Sequence, residues 1–220
     1  MKIEEYLKTL PESILSGEDV QLPDQTFRDI FKFVNLGKDD VFYHLGCGNG
    51  TGLLIAKEEF CAKKVIGIDN STDKTNAAKQ MLSEKNNVDV KIICNDVMDT
   101  NIDDADVILF WFTDENILEK MMEKFSTLKH GTRIITIWGP LPGCLPNAVD
   151  FPYILNQVPF KKTDDLKDQL LAIFDVKCVD FVTAWEFAER YTNAVGKAVS
   201  YTHLRAHETL RYLVCRLLLE

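Results

Sequence analysis

The chain has 220 residues, 25 Lys and Arg against 34 Asp and Glu, a net charge of −9 and 46% hydrophobic residues. Those figures fit one globular domain with at most a small appendage and exclude collagen-like, coiled-coil and disordered classes. The acidic balance disfavours broad electrostatic attraction to nucleic acid or anionic lipid.

The opening segment, MKIEEYLKTLPES, carries early acids and no apolar core of signal-peptide length, so secretion is not expected. Residues 1–40 read as a polar, helix-leaning lead. Within it Leu22-Pro23-Asp24 marks a helix start, with Asp24 as cap, Phe27, Ile30, Phe31 and Val34 on one face, and Gly37 as the stop. From residue 41 to 138 short β-branched or aromatic runs appear at 41–45, 64–68, 90–94, 106–112 and 133–138. Helix-length segments at 51–60, 72–85 and 114–126 lie between them. The last bears Ile117, Leu118, Met121, Met122 and Phe125, a stripe suited to packing on a sheet. Strand–helix alternation with near-continuous apolar strands predicts an α/β fold: a doubly wound, mostly parallel sheet covered on both faces. The longest apolar run of this body, Val107 to Phe112, has six residues, against the roughly 20 of a membrane-spanning helix.

Residues 139–198 read as a proline-rich loop followed by a C-terminal helical extension. Pro140, Pro142, Pro146, Pro152 and Pro159 argue for a loop or lid rather than a sixth central strand, since proline cannot donate to a ladder. Helices are expected at 164–174 and 178–193, although Val176 to Thr183 also alternates as a strand would. Lys161-Lys162 ahead of Thr163-Asp164-Asp165 reads as a solvated helix start. Residues 199–220 differ abruptly, holding three of the six Arg and two of the four His. Their leucines could form an amphipathic helix. However, the string SYTHLRAHETLRYLVCRLLLE resembles a translated sequencing adapter, which implies a foreign tail and a native C-terminus lost from this chain. The six cysteines, at 47, 61, 94, 144, 178 and 215, contain no Cys-x-x-Cys pair and read as buried free thiols in a reducing cytoplasm. They are not spaced with the histidines as a metal-ligand set, so no metal is expected. Asp103-Asp104 lacks the pattern of a calcium loop.

The chemistry-bearing run is Tyr43-His44-Leu45-Gly46-Cys47-Gly48-Asn49-Gly50-Thr51-Gly52, between the first strand and the first core helix. Gly46, Gly48 and Gly50 permit a tight turn whose backbone can approach a ligand. The second strand ends in Ile68-Asp69-Asn70, and in a doubly wound sheet that end flanks the ligand crevice. Asp69 can accept both ribose hydroxyl protons of an adenosine. The third strand ends in Cys94-Asn95-Asp96-Val97, where Asp96 can receive an adenine amino group and Val97 can pack on the ring. A dinucleotide fingerprint needs G-x-G-x-x-G. Here Thr51 stands where the third glycine would be, and no basic residue lies within 44–56 to meet a diphosphate, which disfavours a nicotinamide-dependent oxidoreductase.

This ordered set over about residues 24–138 resembles the class I S-adenosylmethionine-dependent methyltransferases. The resemblance implies that Gly46, Gly48 and Gly50 cradle the cofactor's amino-acid end, Asp69 with Asn70 its ribose, and Asn95, Asp96 and Val97 its adenine. The family usually opens the glycine motif with an acid, and here that position is His44. A neutral His44 can still hydrogen-bond the cofactor; it can equally be a satisfied histidine at a strand end. Leu22-Pro23-Asp24, the glycine motif, ILFWFTDENI at 108–117 and LKHGTRIIT at 128–136 are together similar to the archaeal and Dot1-like protein-lysine methyltransferases. That likeness implies a lysine acceptor in a narrow channel lined by Trp111, Phe112 and Thr113, with Asn116 opening the next helix. Equally, Phe110, Trp111 and Phe112 can cap the sheet core and Asp114 the helix. The Asn/Asp-Pro-Pro-aromatic motif of many base-methylating enzymes is absent. Small-molecule or RNA acceptors, or a catalytically silent cofactor-binding module, are the alternatives. No catalytic residue, and no oligomeric state, is assigned from the sequence. These folds usually close with an antiparallel strand pair, and no such pair is evident after residue 138.

Overall fold

The computed structural model describes residues 22–174 except 86–88, 113 and 138. Leu22–Gln169 form one compact unit; the other comprises both ends of the chain, of which only Leu170–Phe174 are described. The lead helix content before Leu22, the helices expected beyond 175 and the tail at 199–220 lie outside the described residues.

Helix α1 spans Asp24–Phe33 and buries Phe27, Ile30 and Phe31, the expected face. Its cap differs from the expectation. Pro23, in an extended conformation, is the N-cap, and no side chain caps the helix. Proline's fixed φ starts the helix one residue early, which leaves Asp24 inside the first turn, facing the positive end of the helix dipole. Gly37 is likewise not the stop. Asn35 takes the left-handed conformation at φ 52°, and its N–H reaches Lys32 O (3.1 Å) while that of Leu36 reaches Phe31 O (2.9 Å). That pair of bonds closes the helix two residues sooner, with Asn in the role glycine usually takes. Arg133 then holds the helix end, donating to Val34 O and Asn35 O and pairing with Asp40.

The sheet contains β1 (Val41–Leu45), β2 (Lys64–Asp69), β3 (Val90–Cys94), β4 (Val107–Phe110) and β5 (Arg133–Ile137), connected through α2 (Thr51–Glu58), α3 (Thr72–Ser83) and α4 (Glu115–Ser126). These five strands are parallel, in the spatial order β3-β2-β1-β4-β5. The chain walks outward from β1 to β3, then returns to place β4 on the other side of β1. Between β1 and β4 the direction of winding reverses, and a crevice opens at the strands' carboxyl ends. One face of the sheet packs Phe42, Val107 and Ile135 against Phe31, Leu53 and Ala56. The other packs Ile66, Ile108 and Phe110 against Met121 and Phe125. No helix among the described residues is long and apolar enough to cross a membrane.

The proline-rich stretch corrects the expectation of a loop without strands. It contains β6 (Cys144–Leu145), β7 (Ala148–Asp150), β8 (Tyr153–Gln157) and β9 (Lys161–Lys162), before α5 (Leu166–Phe174). β8 pairs antiparallel with β5 and β7 with β8, completing a seven-stranded sheet with the antiparallel pair that seemed missing. The prolines fall between the strands, where no ladder donor is required. Lys161 and Lys162 start no helix; they pair with Leu145 and Cys144 in a separate two-stranded sheet.

Gly67, mid-strand in β2, is where the loop after β1 rests on the sheet. A Cβ there would lie 2.4 Å from Leu53 Cδ1 and 2.7 Å from Cys47 Sγ. Gly67→Ala is expected to destabilise the fold by about 1–3 kcal/mol through overpacking, read as a lowered urea midpoint. An unchanged midpoint would show that the loop can lift off β2.

Candidate functional site

The turn from β1 to α2 is built on β2. Gly46 and Cys47 both donate their N–H to Ile68 O, at 2.8 and 3.0 Å, which folds the chain over the end of β2. Gly48 N–H donates to Asp69 Oδ2 at 2.9 Å. The other oxygen of the same carboxylate accepts from Ser71 N–H at 3.0 Å, and Ser71 is the N-cap of α3. Asp69 is 8% exposed, with the unused lone pairs of both oxygens still available to a ligand hydroxyl. Gly46, Gly48 and Gly50 all have positive φ. At Gly46 the requirement is double: φ is +76°, and a Cβ would come 3.1 Å from Phe112 Cζ.

His44 points from β1 into the aromatic side of the sheet. It is 7% exposed, with the Phe27 ring edge-on at 5.6 Å and Phe42 at 6.4 Å. Burial lowers its pKa to about 4, a shift opposed by the charge of Asp69. The imidazole is therefore neutral at pH 7. Its Nδ1 has no hydrogen-bond partner among the described residues.

After β3, Asn95 N–H donates to Asp69 O (3.1 Å) and its side chain to Thr100 Oγ1 (3.1 Å). Asp96 Oδ1 accepts from Met98 N–H at 2.8 Å, an Asx-type turn that leaves Oδ2 for another donor. Val97 is buried, while Asn70 and Asn95 are exposed at the rim. Lys124 of α4 reaches under this turn and donates to the carbonyls of Val97, Met98 and Thr100. Local patterning gives little warning of that lysine. Its signal was a cation three residues after Met121 and one before Phe125, on the stripe otherwise facing the core.

β4 stops at Phe110, and the aromatics that follow diverge. Phe110 is core, stacked on Phe112 at 4.9 Å and edge-on to Phe125 at 5.1 Å. Trp111 packs on the sheet face that carries Phe31, and Phe112 on the opposite face. Phe112 reaches the glycine turn, over Gly46. Thr113 lies outside the described residues. Asp114 caps α4, its Oδ1 accepting from Asn116 N–H (2.9 Å) and Ile117 N–H (3.1 Å). Of the thiols described, Cys47 and Cys144 are buried and free as expected, but Cys61 and Cys94 are free and exposed. Burial pushes Cys47 up to about 12, so it is no nucleophile.

The crevice thus joins a glycine-rich turn, a buried carboxylate at the second strand end, a second acid at the third, and a neutral imidazole whose Nδ1 is unpaired among the described residues. These groups fit an amino-acid-bearing adenosine: donors and acceptors at the turn, hydroxyl acceptors at Asp69, and an amino-group acceptor at Asp96. No cation lies in the turn for a diphosphate. Residues 42–131 match the family described as methyltransferase domain. The chain is an S-adenosylmethionine-dependent methyltransferase with the doubly wound fold of that class.

Among its relatives, a protein-lysine N-methyltransferase of Saccharolobus islandicus (strain REY15A) is 29% identical over 134 residues, covering 59% of this chain and 81% of the relative. A carboxy-S-adenosyl-L-methionine synthase of Actinobacillus succinogenes is 32% identical over 78 residues, 34% of this chain and 32% of that protein. In structure, the chain is similar to an RNA methyltransferase from Salinibacter ruber solved with S-adenosyl-L-homocysteine, with a TM-score of 0.60 at 20% identity, covering 67% of this chain and all but 1% of the other.

Because the folded-state pKa of His44 lies below its ordinary 6.5, the unfolded chain binds the extra proton first. Stability is therefore complete above pH 6.5 and declines as the pH falls towards 4, by about 3 kcal/mol over the whole window. His44→Phe, which cannot take up the proton, is expected to flatten that decline in urea unfolding between pH 7 and 4.5. An unchanged slope would mean that other groups cause it.

Proposed function

We propose that this methyltransferase acts on a lysine side chain of a protein. The observation that carries the reading is the 29% identity to a protein-lysine N-methyltransferase across 81% of that relative's length.

In this reading Gly46, Gly48 and Gly50 face the amino-acid end of the cofactor, where the neutral His44 accepts a hydrogen bond from its ammonium. Asp69 accepts from the ribose hydroxyls, with Asn70 at the rim. Asp96 Oδ2 accepts from the adenine amino group, Val97 packs on the ring, and Asn95 ties the two strand ends together. The bound cofactor supplies a methyl group already activated by its sulfonium. The protein's part is then to align the acceptor nitrogen behind that methyl and to exclude water. Trp111, Phe112 and Thr113 follow the end of β4, the strand beside β1, and Phe112 over Gly46 would border the reacting end. An aromatic ring such as that of Phe112 suits a lysine's aliphatic stem and cationic head. The amine must lose its proton before it attacks.

Calorimetry on the full chain is expected to show binding of S-adenosylmethionine and S-adenosylhomocysteine and none of NAD. Asp69→Ala should weaken both by roughly 100-fold or more, since charge-assisted bonds to two hydroxyls are lost. Unchanged affinity would move the ribose elsewhere. With methyl-labelled cofactor, label is expected on lysines of a protein panel; label confined to RNA or to small molecules overturns the acceptor assignment.

A further inference from the structure

The turn that carries Asp96 and Val97 is suspended from a helix on the other side of the crevice. α4 begins directly after the aromatic segment of β4, with Asp114 as its cap. Ten residues beyond that cap, Lys124 sends its ammonium back to the loop after β3. It donates to Val97 O at 3.1 Å, to Met98 O at 3.0 Å and to Thr100 O. An ammonium has three protons, and all three are committed to one short backbone turn. From above, the same turn is held by Asp96, whose Oδ1 takes Met98 N–H and whose carbonyl takes Asp99 N–H at 3.2 Å and the Thr100 hydroxyl at 2.8 Å. The lysine is half-buried, and burial lowers its pKa against the pull of Asp103, Asp99 and Asp96. Desolvating an ammonium is costly. Spent on three carbonyls rather than on a surface ion pair, it gives the turn a defined height above the sheet.

We propose that Lys124 is a positioning residue for the nucleobase end of the cofactor, holding the 97–100 turn where Asp96 and Val97 read a 6-amino purine. The proposal rests on the adenosine reading of the crevice given above. Without the ammonium, three carbonyls lose their donor, the turn relaxes, and Asp96 Oδ2 no longer stands at hydrogen-bonding distance from the exocyclic amine. The glycine turn and Asp69, held by β2, keep their places. Lys124 therefore affects selectivity at the base more than affinity for the rest of the cofactor.

The test compares S-adenosylhomocysteine with S-inosylhomocysteine, in which the 6-amino donor is replaced by a carbonyl oxygen, by calorimetry on the full chain. Wild-type protein is expected to prefer the adenine compound by about tenfold or more, because an acceptor facing Asp96 loses a charge-assisted bond. In Lys124→Met that preference should collapse to within about threefold, chiefly through weaker binding of the adenine compound. Lys124→Gln, which keeps two donors without the charge, should fall between, and it carries the test if the methionine variant does not fold. A variant that weakens both compounds equally and keeps the tenfold preference overturns the proposal, since a merely structural role moves affinity and not the ratio. So does a wild-type protein that binds both compounds alike. Wild-type protein that binds neither overturns the adenosine reading itself.

Discussion

The carboxylate of Asp69 is the point from which the crevice is built. One oxygen receives Gly48 N–H and the other Ser71 N–H, while the residue's own carbonyl receives Asn95 N–H. A single side chain and its peptide thereby tie the glycine turn after β1, the cap of α3 after β2 and the start of the turn after β3. Because Asp69 is nearly buried, these charge-assisted bonds operate with little competition from water. The geometry of the three strand ends is consequently one unit rather than three independent loops.

The two walls of the crevice are held differently. On the β2 side the contacts are backbone to backbone or backbone to carboxylate, and Gly67 lets Cys47 and Leu53 settle against the strand. On the β4 side they are side-chain contacts: Phe112 stacked on Phe110 and lying over Gly46, and Asp114 fixing the first turn of α4. His44 stands apart from both. Its Nδ1, unpaired among the described residues, is a local cost that the fold retains, the kind of unsatisfied buried group that in a binding protein finds its partner on the ligand.

Much of this was legible in the sequence because it rests on periodicity and on glycine. The five parallel strands and their helices followed from apolar runs of strand length set between helical stripes. The glycine turn and Asp69 followed from spacing relative to the strand ends. What was misread has local physical causes. Asn156 sits fully buried in the middle of β8, donating to Leu145 O at 3.0 Å, and a polar residue at a core position hides the alternation of that strand. The prolines around it then suggested a loop, although each falls outside a ladder. Pro23 displaced the cap from Asp24, and Asn35 took a left-handed position that composition would give to Gly37. The reach of Lys124 to the β3 turn depends on a contact between residues far apart in the chain, which no local pattern encodes.

The antiparallel pair at the end of the sheet also covers an edge. An all-parallel sheet would leave β5, a five-residue strand with three isoleucines, with a row of free amides and carbonyls open to pairing by another chain. β8 covers that edge, and β7 covers β8 in turn, so the sheet ends in a strand of three residues with Ala148 and Asp150 exposed. Prolines at 146 and 152 stand on either side of it. A short, charged edge bounded by residues that cannot extend a ladder gives an incoming strand almost nothing to add to. The closing hairpin therefore guards this end of the sheet against pairing by another chain.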